Sequence, residues 1–119
     1  MRLVIVESPY AGEIERNIQY ARRAIRDCLE RGEAPIASHL LLTQPGILQD
    51  DVPDERKLGI QAGLAWGKVA TSFIFYIDYG WSNGMKAVMQ HVKEKGYIFS
   101  CRTIGTNEDP HTDGNSQTV

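Results

Sequence analysis

Residues 72–77, Ser-Phe-Ile-Phe-Tyr-Ile, run apolar without alternation, then pass through Asp78-Tyr-Gly-Trp81 into Ser82-Asn-Gly-Met85 and a helical pattern. A run with no period of two has no side to give to water, which is the condition of a central parallel strand covered on both faces. Such a strand needs parallel neighbours, and these need crossover connections, so this one stretch restricts the chain to an α/β architecture. Ser82 offers a side-chain oxygen where the next helix must begin, and Gly84 lets a ligand approach the backbone. N–H groups at a helix start lack intrahelical partners and carry the positive end of the dipole, which suits the turn to an anion such as phosphate or carboxylate.

Upstream, Leu3-Val-Ile-Val6 reads as a first strand ending in the turn cluster Ser8-Pro-Tyr-Ala-Gly12. From Glu13 to about Arg31, the residues Ile14, Ile18, Ala21, Ile25 and Cys28 recur at four, three, four and three, one face of a helix laid on a sheet. The other face mixes arginines with Glu15, Asp27 and Glu30, which reads as solvated surface more than as a polyanion site. Gly32 ends the helix as a left-handed cap would. Ala34–His39 is a second predicted strand, with Pro35 near its start or on an edge. His39 falls at its C-terminal end, either hydrogen-bonded beneath a loop or touching a ligand. Residues 43–52 form a loop suited to covering a site, without the ligand spacing of a calcium loop.

Residues 53–69 predict a helix that opens on Pro53 and acidic residues. Gly59, Gly63 and Gly67 recur in it at intervals of four, each costing about 1 kcal/mol against Ala, so a backbone must approach closely, from the sheet or from a second copy of the chain. Arg56, in the first turn, either pairs with Asp54 or Glu55 or reaches an anionic ligand. The helix Ser82–Lys95 turns Met85, Val88, Met89 and Val92 inward, Gly96 closes it, and Tyr97–Cys101 is the fourth predicted strand.

This order predicts a flavodoxin-like or Rossmann-like three-layer sandwich, with a parallel sheet of four to five strands and helices on both faces, over residues 1–104. Residues 105–119 read as a mobile polar tail, and its His111 as part of that tail. Ligands of such sheets bind beyond the carboxyl ends of the strands, where strand order reverses. That rim gathers Glu7, Ser8, Pro9 and Tyr10, then His39, then Asp78 through Gly84. No dinucleotide fingerprint, Walker loop or Ser-His-Asp arrangement is readable. A net charge of −2 and a pI near 5.9 give no global pull toward nucleic acid or an anionic membrane. Cys28 and Cys101 match no metal or redox spacing, and the opening apolar run is only a strand's length. The expectation is a cytoplasmic protein without membrane or direct nucleic-acid contacts, and with neither metal nor cofactor.

Val6-Glu-Ser-Pro-Tyr-Ala-Gly12, Asn17, Ala34–His39, Asp54–Ile60 and above all Ser82-Asn-Gly-Met85 together resemble the nucleoside 2-deoxyribosyltransferase-like superfamily, closest to its small uncharacterised phage and bacterial members. The resemblance covers roughly residues 2 to 103. It implies an oligomeric domain that handles N-glycosidic bonds of nucleosides or nucleotides, with Ser82 and the backbone of Asn83, Gly84 and Met85 holding a phosphate. In the catalytic members of that superfamily a Glu follows the glycine by four residues; Val88 stands there in this chain. Valine can neither attack an oxocarbenium-like carbon nor balance its charge. Glu7 and Asp78 are the nearby carboxylates that could substitute, although each has a plain structural use, in ordering the Ser8 loop or capping a turn. The reading that follows is a module binding a nucleotide-derived small molecule, its base against Tyr10 or Trp81, for sensing or sequestration, including capture of a nucleotide immune signal by a phage. The alternatives are an N-glycosidase or deoxyribosyltransferase-like enzyme using a relocated carboxylate and, more weakly, a scaffold pairing subunits through the glycine stripe.

Overall fold

The computed structural model describes residues 1–106, in the order β1 (Arg2–Glu7), α1 (Ile14–Glu30), β2 (Glu33–Ile36), α2 (Ser38–Leu41), α3 (Pro53–Ala65), β3 (Ser72–Tyr76), α4 (Asn83–Lys95) and β4 (Phe99–Arg102). The sheet is four-stranded and parallel throughout, in the order β2-β1-β3-β4. All five residues of β3 are buried, as the absence of alternation required. Pro35 lies on an edge strand, paired in register with Val4, where its missing N–H costs no interior ladder bond.

Alternate residues of the central strands feed two cores, one on each face. Val4, Val6, Ile74 and Tyr76 meet Tyr20, Ala24 and Cys28 of α1. On the opposite face Ile5, Phe73 and Phe75 meet Met85, Val88 and Val92 of α4, with Leu64 of α3 packed alongside. Full burial of such a side chain contributes about 1.5–3 kcal/mol, so the two cores supply most of the force that holds the layers together.

Two segments differ from the sequence expectation. The second strand stops at Ile36, and Ser38–Leu41 turns into a short helix, so His39 sits on α2 instead of at a strand end. Ala34–Ile36 is only half-buried, and without a second covered face the backbone has no reason to stay extended. The start of the polar tail is also anchored. The Asp78 carboxylate accepts hydrogen bonds from the N–H groups of Ile104 (2.9 Å) and Gly105 (2.6 Å), and the Tyr79 hydroxyl donates to the Thr106 carbonyl. The remainder of the tail, with His111, lies outside the described residues.

A polar network links the two edge strands across the α1 face. Arg102 of β4 grips Glu33 of β2 through two charge-assisted hydrogen bonds, 2.8 and 2.6 Å. The same guanidinium donates to the Tyr76 hydroxyl, which donates in turn to Asp27 and contacts the Cys28 thiol. Arg102 is the first cause holding the Glu33 carboxyl below its usual range. Cys28 is buried and Cys101 exposed, and neither forms a disulfide.

Candidate functional site

The strand order reverses between β1 and β3: the chain leaves β1 for β2 on one side and returns to β3 on the other. Above the carboxyl ends of those two strands lies a cleft of about 410 Å³. Its walls come from the end of β1, from α2, from the 43–52 loop, from α3 and from the first turns of α4. The volume suits a small organic ligand.

Ser82 is the N-cap of α4, with its Oγ accepting from the Met85 N–H at 3.2 Å. The N–H groups of Asn83 and Gly84 are left without intrahelical partners, and the Ser82 hydroxyl keeps its own proton to donate. Arg56 completes this end. Its Nη2 lies 3.9 Å from where a β-carbon on Gly84 would stand. It forms no salt bridge with Asp54 or Glu55 among the described residues; Glu55 instead accepts from the Gln49 N–H at 2.8 Å. A guanidinium beside open helix-start N–H groups has the chemistry to hold an anion.

The other polar cluster lies at the end of β1. Ser8 Oγ and His39 Nε2 are hydrogen-bonded at 3.1 Å, and the Tyr10 ring meets the imidazole edge-on at 6.1 Å. Burial holds the His39 pKa down to about 4, so the ring is neutral at physiological pH. His39 is thus hydrogen-bonded to Ser8 and also lines the cleft. Burial likewise pushes the Glu7 carboxyl up to about 8. Val88 lies in the same wall, 7% exposed, and belongs to the core as much as to the cleft.

Of the residues expected at the site, Glu7, Ser8, Tyr10, His39, Arg56 and Ser82 are brought together with Asn83, Gly84 and Met85. Three are not. Pro9 is buried and off the lining. Trp81 packs on Phe75 with ring centroids 5.1 Å apart, so its face is spent on the core. Asp78 lies outside the cleft lining, engaged by the Tyr20 hydroxyl and the amides of Ile104 and Gly105. Burial alone would raise its pKa, but those donors outweigh it and keep the carboxyl below its ordinary range.

Two further contributors are Asn17, which entered the sequence reading only through the family resemblance, and the loop expected over residues 43–52. Asn17 is buried on α1 and donates from Nδ2 to the carbonyls of Tyr10 (2.9 Å) and Ala11 (3.2 Å), fixing the loop that carries Tyr10. A polar residue beside the apolar face of α1 was the available signal. The stretch from Leu42 to Asp50 closes one side, with Leu48 packed against Gly59. Among the described residues no His, Cys, Asp and Glu side chains gather as a metal would need, and no helix is long and apolar enough to cross a membrane.

A family model described as a domain of unknown function, DUF7768, matches residues 2–102. No curated protein and no solved structure matches the chain.

Proposed function

This chain belongs to the DUF7768 family of domains of unknown function, and from its cleft we propose that it binds a nucleotide or nucleotide-derived small molecule without turning it over, in sensing or sequestration. The observation that carries this reading is Arg56. Its guanidinium, with no ion pair among the described residues, lies beside Gly84 at the start of α4, inside a cleft large enough for a nucleoside. The resemblance of the Ser82-Asn-Gly-Met85 turn to nucleotide-handling domains supplies the ligand class, and Val88 argues against turnover. Tyr10, at the cleft wall, is the aromatic surface available to a base.

A ligand that binds only the folded state stabilises it by mass action, about 2.7 kcal/mol at a hundredfold excess over Kd. ADP-ribose or a cyclic nucleotide should therefore raise Tm by several degrees, and Arg56→Ala should abolish most of the shift. Mass spectrometry of whatever co-purifies, released by denaturation, should return an intact nucleotide. Appearance of free base during incubation would replace this reading with a second one, an N-glycosidase in which Glu7 protonates the departing base. That alternative draws on Glu7 being the cleft carboxyl whose environment favours the protonated form. A homo-oligomer built on exposed residues such as Leu58 of α3 and Trp66 just after it is a further part of the proposal, checked by sedimentation.

A further inference from the structure

Glu7 is the last residue of β1 and lines the cleft, yet its carboxyl group has neither an ion pair nor a hydrogen bond among the described residues. Two other polar groups of the lining are occupied, Ser8 by His39 and Glu55 by the Gln49 N–H. The ionisable groups facing the cleft are Tyr10 from the loop after β1, His39 from α2, Asp50 from the loop after it, and Glu55 and Arg56 from α3. Ser82, Asn83, Gly84, Met85 and Val88 of the lining add none, and Lys86 of α4 is exposed and off the lining. His39 is neutral, so Arg56 is the one fixed cation among these, and it stands at the anion end beside Gly84. A carboxyl group with no donor to accept from among the described residues, in a cleft that Gly63, Leu64 and Val88 also line, keeps its proton and has an O–H to give.

We propose that the Glu7 carboxyl group is the specificity determinant of the cleft, donating a hydrogen bond to an acceptor on the uncharged nucleoside part of the ligand while Arg56 and the start of α4 hold the anionic part. The inference rests on the nucleotide reading and adds to it a requirement for one proton. Ionisation of Glu7 removes the donor and places a negative charge in the cleft with the anion. Binding is then limited to the protonated fraction, and affinity falls about tenfold for each pH unit above the Glu7 titration.

The test uses the whole chain and three probes whose anionic groups do not titrate between pH 6.5 and 9: ADP-ribose, 3′,5′-cyclic AMP and inorganic sulfate. Calorimetry at the two pH values should show each nucleotide binding about tenfold more weakly at pH 9. Glu7→Gln, whose amide still donates, should bind at both pH values with one affinity. Glu7→Leu should bind the nucleotides at least tenfold more weakly at pH 6.5 while binding sulfate as the wild type does. Equal wild-type affinity at both pH values, or tight nucleotide binding by Glu7→Leu, overturns the role of Glu7 and leaves the nucleotide reading standing. Sulfate binding that depends on pH in the wild type but not in Glu7→Gln, without nucleotide binding, overturns the nucleotide reading and keeps the proton requirement. If none of the three probes binds, both fall. Should Glu7→Leu not fold, the near-isosteric Glu7→Gln decides alone.

Discussion

Burial moves Glu7 and His39 in opposite directions, up to about 8 and down to about 4, and the signs determine how the unliganded fold responds to pH. Between the ordinary values, 4.5 for the carboxyl and 6.5 for the imidazole, the folded state keeps a proton on Glu7 that the unfolded chain has released. Over the same interval the unfolded chain holds a proton on His39 that the folded state lacks, so the two contributions cancel. Above 6.5 Glu7 leads, joined toward pH 9 by the Cys28 thiol, which burial also raises; the folded state binds more protons, and stability falls as pH rises through about 8, for Glu7 by up to ~1.4 kcal/mol per unit and less where water reaches the carboxyl. Glu33 and Asp78, held below their usual range, titrate beneath this window. Urea denaturation between pH 5 and 8 should give a plateau and then a decline, and Glu7→Gln should remove the decline; a flat wild-type curve to pH 8 would sink this account. At this scale the sequence is informative where a role is local. Ser82 as a cap three residues before Met85 is readable from spacing, whereas Asp78 looks identical to a site carboxylate until the chain returns from β4 to occupy it.

The glycine stripe shows its purpose among elements. A β-carbon on Gly63 would stand 2.5 Å from Ser38 Oγ and 3.1 Å from Ser38 Cβ, and one on Gly67 would strike the stacked rings of Tyr97 and Phe73. Gly63 thus seats α2 against α3, while Gly67 seats the turn just after α3 against Phe73 of β3 and Tyr97. Gly63→Ala gains about 1 kcal/mol of helix propensity but collides with Ser38; the hydroxyl can rotate away and the β-carbon cannot. The substitution should cost about 1–2 kcal/mol by thermal melting. In a Ser38→Gly background the same change should become neutral or favourable, and the absence of that coupling would mean α2 is free to shift. The interval of four is plain in the sequence. Its partner was not, because Ala34–His39 reads as one extended segment and nothing local says that Ser38 begins a helix facing Gly63.

Across the whole molecule the Glu33–Arg102 pair joins strands at opposite edges of the sheet, between residues 69 positions apart. Both side chains are largely buried, 5% and 13% exposed, so Glu33→Gln leaves a guanidinium without its counter-charge and should cost about 3 kcal/mol in urea. Glu33→Gln combined with Arg102→Met should recover most of it; a double variant as weak as the single one would place the cost in packing instead of charge. No spacing rule reveals such a pair, since a charged residue in an edge strand ordinarily faces water.

Asp78 has a consequence for where the chain can be cut. The last strand ends at Arg102, and a boundary drawn from secondary structure falls there. The amides of Ile104 and Gly105 nevertheless complete the hydrogen bonding of a carboxylate at the end of β3. A fragment ending at Thr103 leaves that carboxylate with the Tyr20 hydroxyl in place of three donors and should unfold with about 2 kcal/mol less free energy than one ending at Thr106. Equal melting of the two fragments would show that water satisfies Asp78 as well as the backbone does. The unit that folds is longer than the sheet it is built on, and its final stitch is made by two residues with no regular structure.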